Sequence, residues 1–366
     1  MVDLVTQYEK IKPEVDSAIS DVISSANFIK GPEVVNFESN LSKYLNVKNV
    51  IACANGTDAL QIAMMALNLQ PGDEVITACF TYVATAEVIA LLRLKPILVD
   101  VNADTFNIDI DAIRNAITSK TKAIVPVHLF GQCADMEPIL HLAKEFNLAV
   151  IEDCAQAINA EYTFSDGRKA KAGTMGTVGC TSFFPSKNLG CFGDGGALYT
   201  NDDTLADKIK MVANHGQSRL YYHDEVGVNS RLDSIQAAVL NIKLKHLNKY
   251  CHSRIEAADF YDNAFANNEK LKTPFRSKNS THVFHQYTLQ LRNTNREALK
   301  LHLGNKGIPA MIYYPVPLNQ QKAYTQEGAY PVTNALCDCV LSLPMHSELD
   351  KEQLTFITSS VLEFLK

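Results

Sequence analysis

The chain predicts an α/β fold, a mostly parallel sheet between helices, followed by a smaller C-terminal α+β unit. From Val50 onward short apolar runs alternate with longer amphipathic segments, and the runs are apolar throughout rather than at every second residue. Strands buried on both faces and separated by helices belong to parallel sheets with helices on each side. The 366 residues, 46% of them hydrophobic, also suffice for two domains and a core that needs no disulfide staples.

The elements follow in order. A first strand is expected at 50–54, stopping at Asn55-Gly56, and a helix at 58–69. The Pro71-Gly72 turn introduces a strand at 74–78, and a helix at 84–94 follows. Residues 96–101 and 123–127 are β-rich, on either side of a helix at 110–117. Strands at 148–151, 178–184 and 196–200 continue the series. Beyond about residue 200 the pattern changes. Helices are expected at 205–213 and 232–247, the second ending in Lys243, Lys245 and Lys249. The smaller unit has a strand at 287–291, a helix at 296–303 and, after the turn Gly307-Ile308-Pro309, an aromatic strand at 311–314. No repeat, low-complexity tract or flexible linker intervenes. The expected division is 1–248 for the N-terminal segment and large domain, and 249–366 for the small one.

Composition narrows the function. A net charge of -6 leaves no basic surface for nucleic acid or anionic lipid, so any phosphate must be held by local geometry. The mean hydropathy, close to zero, excludes an integral membrane protein, and the apolar run at 88–99 is broken by Arg93 and Lys95. Nine cysteines are an odd number without a C-x-x-C pair, and Cys337-Asp338-Cys339 is too tight and isolated for zinc. They read as small buried hydrophobes in a reducing compartment, with no metal site. Residues 1–13 carry Asp3, Glu9, Lys10 and Lys12 and lack the apolar stretch of a secretory signal. The expected location is the cytoplasm, with no membrane or nucleic-acid partner.

Four constellations could carry chemistry. Asn55-Gly56-Thr57 joins a strand end to a helix start, where free N–H groups and the helix dipole suit a phosphate; the plain alternative is a turn whose threonine caps the helix. Glu152-Asp153-Cys154-Ala155-Gln156 follows an apolar strand, at the rim where open sheets bind ligands. Asp153 there can hold a protonated ring nitrogen and Gln156 a ring oxygen; otherwise the two acids are solvated. Ser182-Phe-Phe-Pro-Ser-Lys187 precedes Gly190, Gly193, Gly195 and Gly196, and a lysine desolvated by such neighbours becomes a usable amine nucleophile rather than a surface charge. Asn229-Ser-Arg-Leu-Asp233 stands before the long helix; Ser230 with Asp233 reads as its cap, and Arg231 as a grip for a carboxylate or phosphate. The glycines lack G-x-G-x-x-G spacing, and no G-K-[ST], H-E-x-x-H or G-x-S-x-G occurs. A phosphate cradle, a strand-end acid and an activated lysine in that order are the parts a pyridoxal 5'-phosphate (PLP) enzyme needs.

Six stretches in order carry a resemblance: Asn55-Gly-Thr-Asp-Ala-Leu60, Phe80-Thr-Tyr-Val-Ala-Thr-Ala86, Val127-His-Leu-Phe-Gly-Gln132, Glu152-Asp-Cys-Ala-Gln156, Ser182-Phe-Phe-Pro-Ser-Lys187 and Gly227-Val-Asn-Ser-Arg-Leu-Asp233. Over essentially its whole length the chain resembles the PLP-dependent nucleotide-sugar aminotransferases of the DegT/DnrJ/EryC1/StrS type, which have the aspartate-aminotransferase (type I) fold. That resemblance implies Lys187 as the Schiff-base lysine and Asp153 as the partner of the pyridine nitrogen. It implies Gln156 at the ring hydroxyl, Gly56, Thr57 and Ser182 at the phosphate, and Tyr82 stacked on the ring. Asn229 is implied to reach the phosphate of the neighbouring subunit's cofactor, making a homodimer with shared active sites. Lys187 itself favours transamination, since related sugar 3-dehydrases carry histidine there.

The chain is particularly similar to the branch that aminates C3 of UDP-linked 2-acetamido-3-oxo-glucuronic acid, for diacetamido uronic acids of surface polysaccharides such as O-antigen. Gly131-Gln-Cys-Ala-Asp135, His215-Gly-Gln-Ser-Arg219 and Tyr314-Pro-Val-Pro-Leu318 carry that similarity. It implies glutamate as amino donor and Arg231, Asn229, Tyr313 and Tyr314 as substrate contacts; Tyr313 stands where some close relatives have histidine. His215 reads equally as a site residue or a structural helix-end histidine. The alternatives are a C3 or C4 aminotransferase for a dTDP- or UDP-linked 6-deoxy keto sugar, and a non-catalytic binding or regulatory protein on the same fold.

Overall fold

A computed structural model describes all 366 residues. Three helices lead: α1 (Leu4–Glu9), α2 (Lys12–Ser25) and α3 (Pro32–Leu45). Proline opens α2 and α3 in the first turn, and left-handed Ala26 and Asn46 close them. Strands and helices then alternate: β1 (Asn49–Cys53), α4 (Gly56–Ala66), β2 (Glu74–Ala78), α5 (Ala84–Leu91), β3 (Lys95–Val99), α6 (Ile110–Ala116), β4 (Thr121–Val125), α7 (Met136–Phe146) and β5 (Ala149–Asp153). A small hairpin, β6 (Glu161–Thr163) and β7 (Lys169–Lys171), precedes β8 (Val178–Ser182), β9 (Gly196–Thr200) and α8 (Asp203–Ala213).

Seven of these strands form one sheet in the order β1-β9-β8-β5-β4-β2-β3. Every neighbouring pair is parallel except the two that involve β9. Successive residues feed opposite faces. Val50 and Ala52 of β1 pack into the core with Phe37 of α3 and Ile139 of α7, while Ile51 and Cys53 pack with Ala63 of α4 and Ile209 of α8. That double burial is why the strands lack an apolar-polar alternation.

An exposed hairpin, β10 (Gln217–Arg219) with β11 (Tyr222–His223), leads to α9 (Ser234–Phe265). The remaining elements are β12 (Leu271–Lys272), β13 (Tyr287–Leu291), α10 (Arg296–Asn305), α11 (Pro331–Cys339), β14 (Val340–Leu343) and α12 (Lys351–Leu365). Strands β12, β13 and β14 make an antiparallel sheet with a core of its own, including Tyr261, Leu289, Leu341 and Ile357.

Three expectations are corrected. The helix expected at 232–247 runs on to Phe265, through the expected division at 248, because neither glycine nor proline occurs in its 32 residues. Its lysines mark no terminus; Lys243 is buried, with its ammonium over the Phe192 ring. Residues 311–314 are not a strand. Only Met311 bridges Ser342, and Pro309 and Pro315 at either end limit further pairing. The cap of α9 is Asp233, which accepts from Gln236 N at 2.9 Å, and Ser230 is used elsewhere. Eight of the nine cysteines are buried and all are free.

Strands β1, β2, β4, β5 and β8 point the same way, so their carboxyl ends share one edge of the sheet. The turns that follow them meet there.

Candidate active site

The cradle lies between β1 and β8. Asn55, not Thr57, caps α4, its Oδ1 accepting from Asp58 N at 2.8 Å. That leaves the N–H groups of Gly56 and Thr57 at the positive end of a helix, before intrahelical bonding begins. A Cβ on Gly56 would stand 2.7 Å from Ser182 Cβ, so only glycine lets the end of β8 approach this turn. The free N–H groups of Gly56 and Thr57 thereby lie at a turn packed against Ser182, an arrangement with the chemistry to hold a phosphate.

Asp153 is the last residue of β5 and only 8% exposed. Its Oδ2 accepts from Thr85 Oγ1 at 2.9 Å and its Oδ1 from Ala155 N at 3.1 Å. Glu152, solvated on the plain alternative reading of the pair, is wholly buried. It accepts from Gly173 N at 2.8 Å, Met175 N at 2.7 Å and Gly176 N at 2.5 Å, and pairs with His128 Nε2 at 2.8 Å. Because His128 Nδ1 accepts from Ala134 N at 3.0 Å, the imidazole proton lies on Nε2 and is donated to Glu152. Adjacent strand residues face opposite ways. One acid anchors the strand end, and its neighbour is free to serve the cleft.

Gln156 is held at both ends of its amide. Its Oε1 accepts from Phe130 N at 2.8 Å and its Nε2 donates to the Tyr314 hydroxyl at 3.2 Å. Phe130 adopts a left-handed conformation, with φ of 56°, that turns its N–H toward the glutamine. The Tyr314 ring lies nearly parallel to that of Phe130, and burial pushes its hydroxyl up from the usual tyrosine value. Tyr82 leans on Tyr314 with ring centroids 6.4 Å apart, yet stays 58% exposed, leaving an aromatic face open. Tyr313 is half-buried beside Tyr314.

Lys187 stands in the loop after β8. The loop is tied down by Lys187 N to Phe184 O at 2.9 Å and Cys191 N to Phe183 O at 2.8 Å. A Cβ on Gly190 would lie 2.3 Å from Pro185 O, so the loop folds back only because glycine is there. The lysine side chain is partly exposed and makes no hydrogen bond or ion pair. Burial pushes its ammonium down to about 8, against the opposing pull of Asp153.

Other expected residues make no hydrogen bond to Lys187, Asp153 or Gln156. Asn229 is exposed, in a bridge with Asn214, and Arg231 is partly exposed without a partner in the chain. Both flank Ser230, whose hydroxyl accepts from Ala54 N at 3.0 Å and so ties the segment to the end of β1. His215 is exposed, and its carbonyl meets His223 Nδ1 at 2.9 Å. Thr85, His128 and Phe130 escaped the role assignment although they stand inside quoted motifs. Their only signal was position, just beyond the carboxyl ends of β2 and β4.

The residues fit PLP: a cradle for its phosphate, a carboxylate for its ring nitrogen and an amine for its aldehyde. The DegT/DnrJ/EryC1/StrS aminotransferase family matches residues 9–362. A UDP-2-acetamido-2-deoxy-3-oxo-D-glucuronate aminotransferase of Pseudomonas aeruginosa is 45% identical, over 98% of each chain. A UDP-N-acetyl-3-dehydro-alpha-D-glucosamine 3-aminotransferase of Acidithiobacillus ferrooxidans is 41% identical, over 99% of this chain and 96% of that one. The solved structure of NtdA from Bacillus subtilis, with bound cofactor PMP, superimposes with a TM-score of 0.88 at 31% identity, covering 97% of this chain and 82% of that chain. With the family spanning nearly every residue, this chain belongs to the DegT/DnrJ/EryC1/StrS aminotransferases and is PLP-dependent.

Proposed function

We propose that the enzyme moves an amino group from L-glutamate to the C3 keto group of UDP-linked 2-acetamido-3-oxo-glucuronic acid. The product would serve diacetamido uronic acids of surface polysaccharides, made in the cytoplasm by a homodimer. The observation that carries the site is the parallel pairing of β5 with β8, which sets the strand-end carboxylate of Asp153 on the same sheet edge as the loop that bears Lys187. When bound, PLP supplies an electron sink that accepts and returns the amino group.

The chain's own residues divide the remaining work. Gly56, Thr57 and Ser182 hold the phosphate through N–H groups and hydroxyls. Asp153, kept in place by Thr85 and Ala155, keeps the pyridine nitrogen protonated through charge. Gln156 is presented to the ring hydroxyl by Phe130 and Tyr314, and Tyr82 covers the ring. Lys187 Nζ, its ammonium lowered to about 8 by burial, would hold the cofactor through its aldehyde and, when free, would carry protons as general acid and base.

Substrate choice rests on Arg231, a guanidinium without a partner in the chain, and on Asn229, Tyr313 and Tyr314 as further sugar contacts. A uronate carboxylate needs such a cation, and the relative from Pseudomonas aeruginosa is named for a uronate. The dimer is supported by what the single chain leaves uncovered. Its accessible surface of 16156 Å² exceeds the about 14,500 Å² expected of a folded monomer of this mass. Leu220, Tyr221 and Val226, around the β10–β11 hairpin, are 71%, 82% and 83% exposed. The division into 1–248 and 249–366 is kept as a proposal in which α9 is the shared spine.

A panel of UDP-linked 3-oxo sugars tests the substrate. The uronate should outpace its hydroxymethyl counterpart, and Arg231→Ala should cut kcat/KM for the uronate by about 10- to 100-fold, the worth of a charged hydrogen bond. Preference for a 6-deoxy sugar, with Arg231→Ala harmless, rejects the uronate.

A further inference from the structure

Lys243 is a buried cation outside the cofactor residues. It lies on α9, is 2% exposed, and makes no hydrogen bond or ion pair within the chain. Lysine is almost never buried so fully unless it is paired. Its ammonium meets instead the ring of Phe192, 5.4 Å from the centroid. Burial pushes that ammonium down to about 8, so the charge is desolvated yet present at neutral pH. A desolvated cation on an aromatic face is held more firmly than one in water.

Phe192 belongs to the loop that begins at Lys187, and that loop is poorly able to hold its own shape. Gly190, Gly193, Gly195 and Gly196 give it wide backbone freedom. Both of its ends serve the site. Lys187 stands at one, and at the other a Cβ on Gly196 would lie 2.4 Å from Asn55 O, in the turn that caps α4. The middle is gripped from α9. Gln236 Oε1 accepts from Phe192 N at 2.8 Å, and a Cβ on Gly193 would stand 3.2 Å from Gln236 Nε2. Gln236 and Lys243 are about two helical turns apart, so one face of α9 supplies both grips. Tyr8 of α1 meets the same ring edge-on, with centroids 5.7 Å apart.

We propose that Lys243 is a positioning residue for Lys187: through the Phe192 ring its ammonium clasps the glycine-rich loop to α9 and fixes where the cofactor lysine stands. The proposal rests on the reading of Lys187 as the cofactor lysine. Phe192 is 42% exposed, so apolar packing alone holds it weakly, and the cation adds a directional contact at the point where the backbone is most free. Two backbone bonds carry the restraint back toward the lysine, Cys191 N to Phe183 O at 2.8 Å and Lys187 N to Phe184 O at 2.9 Å.

Hydrogen exchange of apo-protein, read on the peptide 188–195, measures the clasp. Lys243→Met and Phe192→Leu should each speed exchange there about tenfold, and the double variant no further, because each removes the same contact. Phe192→Tyr keeps the ring, with its hydroxyl in water, and should exchange like wild type. Positioning is read by adding PLP to apo-protein and following the borohydride-trapped adduct by peptide mass mapping. Capture on Lys187 should slow about fivefold in Lys243→Met and Phe192→Leu and keep its wild-type rate in Phe192→Tyr. Unchanged exchange, or losses that simply add, overturns the clasp. Faster exchange with an unchanged capture rate overturns the positioning role. Should Lys243→Met not fold, the two Phe192 variants, at a half-exposed position, make the same comparison. An adduct away from Lys187 in wild type rejects the cofactor assignment instead, while exchange still reads the clasp.

Discussion

Thr85 Oγ1 donates to Asp153 Oδ2 at 2.9 Å, reaching from the first turn of α5 to the last residue of β5. With Ala155 N on the other oxygen, the carboxylate is fixed before any ring nitrogen arrives. Asp153→Asn should therefore lower kcat by about 10²–10³-fold, since it removes the charge and keeps the shape. Thr85→Val, which removes one hydrogen bond of about 1 kcal/mol, should cost about fivefold. Steady-state kinetics on the two variants check the ranking, and equal losses would show that orientation rather than charge is what matters.

Glu152 carries a structural load that its neighbour does not. Three backbone N–H groups and the His128 ring converge on one fully buried carboxylate. Glu152→Ala strands all four donors and should reduce unfolding free energy by about 3–5 kcal/mol. Thermal melts of apo-protein should show the loss, with Asp153→Ala far milder by the same measure.

These two adjacent acids show what the sequence made legible. Both were visible as a pair at a strand end, and the strands themselves were visible because their apolar runs match the sheet in order and nearly in length. What separates their roles is the loop at 173–176 folding back on Glu152, a contact more than twenty residues away in sequence that no local pattern encodes. The long α9 was underestimated for a different reason. Its lysines resemble a helix end, and Lys243 is buried only because Phe192 arrives from the glycine-rich loop. Gln156 stood out by its place just after a strand end, while Phe130 and Tyr314, which hold its amide, come from elsewhere in the chain.

Lys187 also predicts a dependence of stability on pH. Its ammonium is held at about 8 in the folded apo-protein against 10.5 for the ordinary lysine. Between those values the unfolded chain keeps a proton that the folded chain has lost, so the lysine's destabilising effect fades as pH rises through that window. Lys187→Met should accordingly raise the Tm of apo-protein by a few degrees below pH 8, with a shrinking advantage toward pH 10.5. A constant or growing advantage would reverse the sign of the argument.

Gly56 is required by the closeness of Ser182, and the pair can be tested as a pair. Gly56→Ala places a methyl 2.7 Å from Ser182 Cβ, so one side of the cradle must move. PLP affinity should fall at least about tenfold, the equivalent of 1.4 kcal/mol. Ser182→Gly alone loses a hydroxyl contact, yet in the double variant it clears the clash. The double variant should bind PLP more tightly than Gly56→Ala, and a simple sum of the two losses would show that the contact is not what excludes a side chain.

Asn229 raises the question of whether a site is complete within one chain. It is exposed, and its segment is tied to β1 through Ser230 without a hydrogen bond to Lys187, Asp153 or Gln156. If Asn229 serves the partner's cofactor, Lys187→Ala and Asn229→Ala are defects in opposite halves of each shared site. Mixing and reassociating the two inactive variants then forms hybrids in which one site draws Lys187 and Asn229 from unmutated positions of different chains. Random pairing of equal amounts makes half the dimers hybrid, each with one intact site, so about a quarter of wild-type activity should return. If both residues served the site of their own chain, every site in every dimer would keep a defect and mixing would restore nothing.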